Sequence, residues 1–203
     1  VQVFSPHFSL LNSEINGHQS GTSSSCVFLG DATLGIAVSP VIDHNRLHDC
    51  ATTVYGHGIY DGNSTGAVIT NNYIYDNGGF GIQFYPNGDG GLFANNVVDG
   101  EKTKAAVFFG GQDPLTSDNN TIRDNILTYN ATYGIDATWG NSIGTGNVAS
   151  HNCLYGNVSG PFGGTQGWTN QGSNVLDDPL YVNRAGKDFR LQAGAPCAGM
   201  GPS

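Results

Sequence analysis

Apolar and polar positions along the chain fall into one local frame, apolar-x-x-Asn-x-apolar, repeated at distances too long for a single helix or hairpin. Asn45, Asn72, Asn96, Asn125 and Asn152 occupy its centre, recurring at intervals of roughly 24 to 29 residues, within the range of known repeat architectures. Three residues before them stand Ile42, Ile69, Phe93, Ile122 and Ala149, and two residues after them Leu47, Ile74, Val98, Leu127 and Leu154. A second signature follows each asparagine after a short connection: Gly58-Ile59, Gly81-Ile82, Ala106-Val107 and Gly134-Ile135. Each unit therefore holds three short apolar segments. They are too short and too rich in Gly, Asn and Asp for helices, and their apolar residues alternate with polar ones as strands require.

A repeat of this length is the mark of a solenoid, whose units bury their apolar edges only against neighbouring units. Three strands per coil predict an all-β fold: a single-stranded, right-handed parallel β-helix. An asparagine at the bend between two strands can donate its side-chain amide to the adjacent coil, so Asn45, Asn72, Asn96, Asn125 and Asn152 are expected to form a ladder at one corner. The frame continues in both directions. Ser13 takes the asparagine place in Leu10–Ile15, with Val27 as far beyond it as Ile59 is beyond Asn45, and Phe162 and Asn174 complete a further coil. About six coils over roughly residues 8–176, closed by a segment over 177–203, make one domain. The distance from the Gly-Ile strand to the next asparagine varies, shortest from Ile59 to Asn72 and longest from Val27 to Asn45 and from Val107 to Asn125. That variation places the insertions at one corner, and the face with variable loops is often the binding face of a solenoid.

Columns of outward side chains are legible from this register, since stacked strands lie about 4.8 Å apart. Directly after the inward residue come Phe28, Tyr60, Gln83, Phe108 and Asp136, and two positions further Gly30, Gly62, Tyr85, Gly110 and Thr138. Aromatic rings with an amide and a carboxylate suit sugars, whose C–H faces pack on rings while hydroxyls pair with polar groups. The corner before this sheet is expected to supply His48, Asp49 and His57, and the corner after it Asp61, Asn63, Asp89, Asp113 and Trp139. Candidate catalytic groups are His57, Tyr60 and Asp136; candidate glycan-binding groups are Gln83, Tyr85, Phe108, Asp113 and Trp139. In an elimination on a uronate, His57 with Tyr60 or Tyr85 would serve as base and acid, with Arg46 or Gln83 assisting at the carboxylate. Hydrolysis would need two carboxylates about 5 to 10 Å apart. Asp113 with Asp136, or Asp61 with Asp89, could provide them only if their loops converge.

Composition narrows the partners. A net charge of −9 with no basic cluster argues against nucleic acid. No run approaches 18 apolar residues and no charged-then-apolar leader is present, so the chain reads as mature or trimmed, without membrane insertion. Few lysines and a surface of Asn, Thr, Ser and Gly suit a secreted or cell-surface protein. Four cysteines without C-x-x-C spacing speak against zinc and fit two bridges, Cys26 with Cys50 and Cys153 with Cys197; four buried thiols are the alternative. The sequons at Asn63, Asn119, Asn130 and Asn157 are weak signals in a chain of this composition.

The stretch Asn72 to Pro86, with His57-Gly-Ile-Tyr60 one coil earlier, resembles the right-handed parallel β-helix repeat proteins of bacteria. The tail, Asp178-Pro-Leu-Tyr-Val182, Asp188–Gln192 and Gly194–Gly199, is similar to the closing segment of many secreted members. That resemblance implies the pectate lyase and polygalacturonase superfamily, which also holds epimerases, tailspikes and members without known activity, so it implies fold more than chemistry. Gly56-His57-Gly58 resembles the Gly-His-Gly element of polygalacturonases, but the paired aspartates and the Arg-Ile-Lys element are missing and their mechanism is not carried over. The calcium-binding acidic cluster of pectate lyases has no counterpart in spacing: Asp61, Asp89, Asp113 and Asp136 fall on successive coils. No metal or other cofactor is expected, with calcium as the alternative. The leading expectation is an extracellular carbohydrate-active protein, lyase- or glycosidase-like, with a polysaccharide or surface glycan as partner. The alternative is a structural or adhesive fibre module that self-assembles through its open coil ends; the absence of a regular Thr-x-Thr column disfavours an ice-binding face.

Overall fold

A computed structural model describes residues 1–18, 24–139 and 142–203. Among these residues there is no helix, and three parallel sheets wind into a right-handed β-solenoid of about six turns. The first sheet holds Gln2–Val3, Val27–Leu29, Ile59–Thr65, Ile82–Asp89, Val107–Phe109, Tyr133–Asp136 and Gly160–Gly163, with Ala37–Val38 paired to the far half of Ile59–Thr65. The second runs from Ser9–Leu11 through Val41–Asp43, Val68–Thr70, Leu92–Ala94, Thr121–Arg123 and Asn147–Ser150 to Trp168–Asn170. The third runs from Glu14–Asn16 through Arg46–His48, Tyr73–Tyr75, Val97–Asp99 and Ile126–Thr128 to Cys153–Tyr155.

Register follows the asparagine frame residue for residue: Ile42 pairs with Ile69, Ile69 aligns through Phe93 to Ile122, and Leu47 aligns with Ile74, Val98, Leu127 and Leu154. These side chains point inward and are fully or almost fully buried. The Gly-Ile signature has a steric cause. A Cβ at Gly58 would lie 2.4 Å from Ile74 Cγ2, and one at Gly81 2.3 Å from Val98 Cγ1, so glycine lets the first sheet close on the third at these two coils, while the next coil holds the small Ala106 in the same place.

The ladder is longer than its five asparagines. Asn72 Oδ1 accepts from both the backbone N–H and the Nδ2 of Asn45, while Asn72 Nδ2 donates to Asn96 Oδ1 and to the Ile42 carbonyl, so one side chain links three coils. The pattern repeats through Asn96, Asn125 and Asn152 and reaches Ser13 at one end and Asn174 at the other. The residue before each rung, among them Asn12, His44, Asn71, Asn95, Asp124 and His151, has φ between 48° and 57°. Asn, Asp and His are the side chains that tolerate this left-handed geometry best.

A second ladder stands five residues further on: Cys50, Asn77, Glu101, Asn130 and Asn157. The preceding residues Asp49, Asp76, Gly100, Tyr129 and Gly156 again have positive φ. A third, shorter ladder lies five residues before the first, where Asn120 Oδ1 accepts from Gly91 N–H and Asn147 Oδ1 from Asn120 N–H. Asn130 and Asn157 spend their amides in the second ladder, so these two sequons offer no free amide in the folded chain.

Two carboxyl groups depart from this neutral scheme. Glu101 takes an asparagine place, accepting from Asn77 Nδ2 at 3.1 Å and leaving Oε2 without a partner. Asp61, expected in an outer corner, instead aligns with Leu29 and Phe84 and points into the core, with Ser64 Oγ donating at 2.8 Å and Oδ1 unpartnered. Its neighbour Tyr60 faces outward, and the alternation of a strand turns Asp61 the other way. Burial pushes Glu101 up to about 8 and Asp61 up to about 7.

Both disulfides form, Cys26–Cys50 with Cα atoms 5.4 Å apart and Cys153–Cys197 at 5.9 Å. The second holds residues of the tail on the outer face of the third sheet. Tyr181, Phe189, Cys197 and Met200 pack on Tyr75, Val97, Ile126 and Cys153, and Arg184 Nε meets both oxygens of the buried Asp99 at 2.8 and 3.1 Å. The tail thus runs back along the side of the solenoid, with its antiparallel pair Tyr181–Asn183 and Asp188–Leu191, rather than continuing beyond the last coil.

Removing a central rung should leave buried groups unpaired in two coils. Asn96→Ala is expected to cost about 3 kcal/mol or more in urea unfolding, because each orphaned buried donor or acceptor costs roughly 1–3 kcal/mol, whereas Val158→Ala at a 79% exposed position should change little. A cost below about 1 kcal/mol for Asn96→Ala would contradict the ladder's role.

Stability should also depend on pH in a definite direction. A carboxyl whose folded pKa lies above its unfolded value stabilises fully below the unfolded value and loses that contribution as pH rises through the folded one. For Glu101 that window runs from 4.5 to about 8, and for Asp61 from 3.8 to about 7. The melting temperature should therefore fall between pH 4 and pH 8, and Glu101→Gln should flatten the upper part of that fall. A melting temperature that rises steadily across this range would refute the assignment.

Candidate first-sheet cleft

The outward column on the first sheet assembles in the expected register. Gln2 pairs with Phe28, Phe28 with Tyr60, Tyr60 with Gln83, Gln83 with Phe108, and Phe108 with Asp136. The rings lean along their strands over glycines. A Cβ on Gly62 would lie 2.8 Å from Phe28 Cε2 and 3.0 Å from Tyr60 Cε1, and one on Gly110 2.4 Å from Phe108 Cε1. Glycine at these sites lets an aromatic ring lie flat on the sheet. In Ile82–Asp89 the register breaks between Phe84 and Asn87, and this bulge displays Tyr85 ahead of Pro86.

His57 stands at the edge of the column and is 3% exposed. Its Nδ1 accepts the backbone N–H of Phe80 at 2.9 Å, which fixes the neutral ring with its proton on Nε2. Burial, aided by the Lys104 charge, pushes the imidazole down to about 3, so it stays neutral throughout the physiological range. Gly79 makes room for this ring, since a Cβ there would fall 2.4 Å from Nδ1. Tyr60 lies beside it at 5.7 Å between ring centroids; burial, with Tyr85, Asp31 and Asp61 adding to it, pushes its phenol up to about 12.

The rings join into one chain on the outside of the coil. It passes from Phe4 to Phe28, Tyr60, His57, Phe80, Phe108, Trp139 and Tyr85, with successive centroids 4.6 to 5.7 Å apart. Above it lies a cleft of about 450 Å³, lined by Gln2, Ser24, Ser25, Phe28, Tyr55, His57, Tyr60, Gln83, Tyr85 and Trp139. A smaller depression of about 240 Å³ adjoins it across Phe28 and Tyr60, bordered by Asp31, Asn63, Asn87 and Leu115. Tyr85 donates its hydroxyl to Gln112 Oε1 at 3.0 Å, and Trp139, 57% exposed, rests on Tyr85 and Phe108.

Of the candidate residues, the fold gathers His57, Tyr60, Gln83, Tyr85 and Trp139 around one cleft. Phe108 is fully buried beneath Trp139 and supports it from below. Asp136 is 7% exposed and outside the lining; its Oδ1 accepts the Thr138 N–H at 2.8 Å. Asp113 is exposed on the loop closed by the Gln112–Leu115 bridge, also outside the lining. Asp61 lies in the core, while Asp89 Oδ1 accepts the Asp118 N–H at 2.8 Å. Arg46 and His48 sit on the third sheet: Arg46 reaches the Tyr75 hydroxyl, and His48 lies between Glu14 and Asp49 at 3.0 Å from each. Among the described residues no three His, Cys, Asp or Glu side chains converge as metal ligands, and the four aspartates on which a calcium site would draw are dispersed in this way.

Gln2, Ser24, Ser25 and Tyr55 line the cleft without having been singled out from the sequence. For Tyr55 a signal existed. The connection from Asn45 to Ile59 is longer than the equivalent one from Asn72 to Ile82, and the extra residues form the segment before Gly56 that carries Tyr55. Insertions therefore flank the first sheet on both sides rather than at one corner.

Comparison with curated proteins finds no match. Among solved structures, one similar chain is QnrB1, a plasmid-mediated fluoroquinolone resistance protein, at 12% identity over 85% of this chain and 92% of that one. Its TM-score of 0.21 is too low to support any argument. The family model for the right-handed β-helix region matches residues 7–177, the span that carries the repeated corners and all of the cleft lining but Gln2, and the chain belongs to that family.

Proposed function

We propose that this protein is an extracellular carbohydrate-binding β-helix whose ligand lies in the first-sheet cleft, along the solenoid axis. The observation that carries this reading is the combination, in one cleft, of the exposed rings of Tyr55 and Trp139 and the half-buried rings of Tyr60 and Tyr85 with the amides of Gln2 and the largely buried Gln83 and the hydroxyl of Ser25. Sugars need both kinds of surface: rings for their C–H faces, and short polar groups for their hydroxyls. The rings are supported by their glycines and by each other, so little side-chain freedom is lost on binding. Two disulfides suit an oxidising compartment outside the cytosol, and no helix among the described residues is long and apolar enough to cross a membrane.

Bond cleavage is not part of the reading. His57 already carries its proton on Nε2 and has Nδ1 occupied, so it serves as a donor and not as a base. Tyr60, with a phenol pushed up to about 12, is likewise a donor at neutral pH. Among the described residues no carboxylate lines the cleft, which leaves hydrolysis without its pair of acids.

Titration calorimetry against a broad set of plant, algal and bacterial polysaccharides should identify binders, with a change in Trp139 emission on binding. Tyr60→Ala and Trp139→Ala should each lower affinity roughly tenfold or more, the loss expected for an aromatic platform, whereas Arg190→Ala on the exposed tail should not. Absence of binding to every polysaccharide, or unchanged affinity in both ring variants, would overturn the proposal.

A further inference from the structure

Among the described residues, the cleft is surrounded by charge yet contains none. Its ten lining residues are aromatic, amide or hydroxyl side chains and one imidazole held neutral by its bond from the Phe80 N–H. The charged groups that act on the lining stand outside it. Lys104 lies over the Phe80 ring, 5.7 Å from its centroid, and acts on His57; Asp31, on the border of the adjoining depression, and Asp61, which follows Tyr60 in the chain and points into the core, act on Tyr60. Arg46, the cation expected to meet a sugar carboxylate, belongs to the third sheet with Tyr73 and Tyr75 beneath its guanidinium.

An acidic glycan entering this cleft would give up the hydration of its carboxylates or sulfates without gaining a cation in return. Burying an unpaired charge is far more costly than burying a hydroxyl that finds a partner. The field of the whole chain, at net charge −9, adds repulsion at low ionic strength. An uncharged sugar meets neither obstacle. Its hydroxyls can pair with Gln2, Gln83, Ser25 and the Nε2 proton of His57, and its C–H faces can lie on the tyrosines and Trp139.

We propose that the first-sheet cleft selects neutral glycans and rejects uronate and sulfated ones, because every described group that lines it is an uncharged donor, acceptor or ring. This rests on the glycan-binding reading of the same cleft. Two further properties follow from it. Affinity is nearly independent of salt, since no ion pair forms. It is also nearly flat from pH 5 to pH 9, since His57 and Tyr60 titrate outside that interval and Asp61, which titrates within it, points into the core; none of Lys104, Asp31 and Asp61, the groups that face these two, lines the cleft.

Matched polymers provide the test. Polygalacturonate is compared with its fully methyl-esterified form, and polymannuronate with β-mannan, alongside xylan and β-glucan as neutral chains and a sulfated galactan as an anionic one. Affinities are measured by calorimetry at 20 and 500 mM sodium chloride and at pH 5, 7 and 9. The expected result is at least one neutral polymer bound, its charged counterpart bound at least tenfold more weakly at both salt concentrations, and less than a twofold change across salt and pH. Equal or tighter binding of the charged member, or affinity that falls steeply with salt, would overturn the selectivity while leaving glycan binding intact. Failure of every polymer, neutral and charged, would remove the glycan-binding reading and this inference together.

Discussion

The fold depends on how the chain satisfies its backbone at the corners. A strand of three residues can pair with the coils on either side, but the bend that follows it withdraws an N–H and a carbonyl from the sheet. In this protein the bend is one residue in left-handed geometry followed by a residue whose side chain completes the missing hydrogen bonds. Asn72 shows the device in full: its oxygen accepts twice from one neighbouring coil, and its amide donates to the other and to the carbonyl of Ile42. Because the side chain binds its counterpart a coil away, the ladder sets register as well as satisfying the corner. Every inward Ile and Leu then lands above another, and every outward column inherits the same alignment.

This constraint also explains why the exposed chemistry collects on one sheet. The second and third sheets are joined by a two-residue corner that holds the first ladder, such as His44-Asn45 between Val41–Asp43 and Arg46–His48, which leaves no room for an insertion between them. The third sheet is further occupied by the tail, with Cys197, Phe189 and Arg184 covering what would otherwise be an apolar outer face. The first sheet alone is flanked by segments of variable length. Those segments raise Tyr55 on one side and Trp139 on the other, and the walls they form turn a flat strand surface into a cleft.

Departures from the neutral ladder have a cost that the surroundings bear. Glu101 occupies a rung that its neighbours fill with asparagine, and Asp61 intrudes on an inward column of leucine and phenylalanine. Each leaves one carboxyl oxygen without a partner, so both favour the protonated form. His57 is the opposite case. It is also deeply buried, but a backbone N–H engages its neutral form, and the ring remains uncharged.

Much of the architecture was legible in the sequence because a solenoid converts spacing into position. The Asn45 to Asn152 frame gave the coils, the inward residues and the outward column from Phe28 to Asp136, since the ladder allows a single register. The second ladder was equally periodic, but Cys50 and Glu101 interrupt its asparagines and disguise it. What the sequence left open was the direction and company of individual side chains. Asp61 and Tyr60 are adjacent, yet one is core and the other cleft, and Asp136 shares the column with Gln83 but folds its carboxylate onto the Thr138 amide. Arg46 and His48 precede the first-sheet strand in sequence but occupy a different face. The tail's path along the third sheet and the walls of the cleft depend on contacts between residues far apart in the chain, which no local period encodes. The sequence by itself determined where each coil repeats; only the tertiary structure decided which polar groups are spent on holding the coils together and which stay free to meet a ligand.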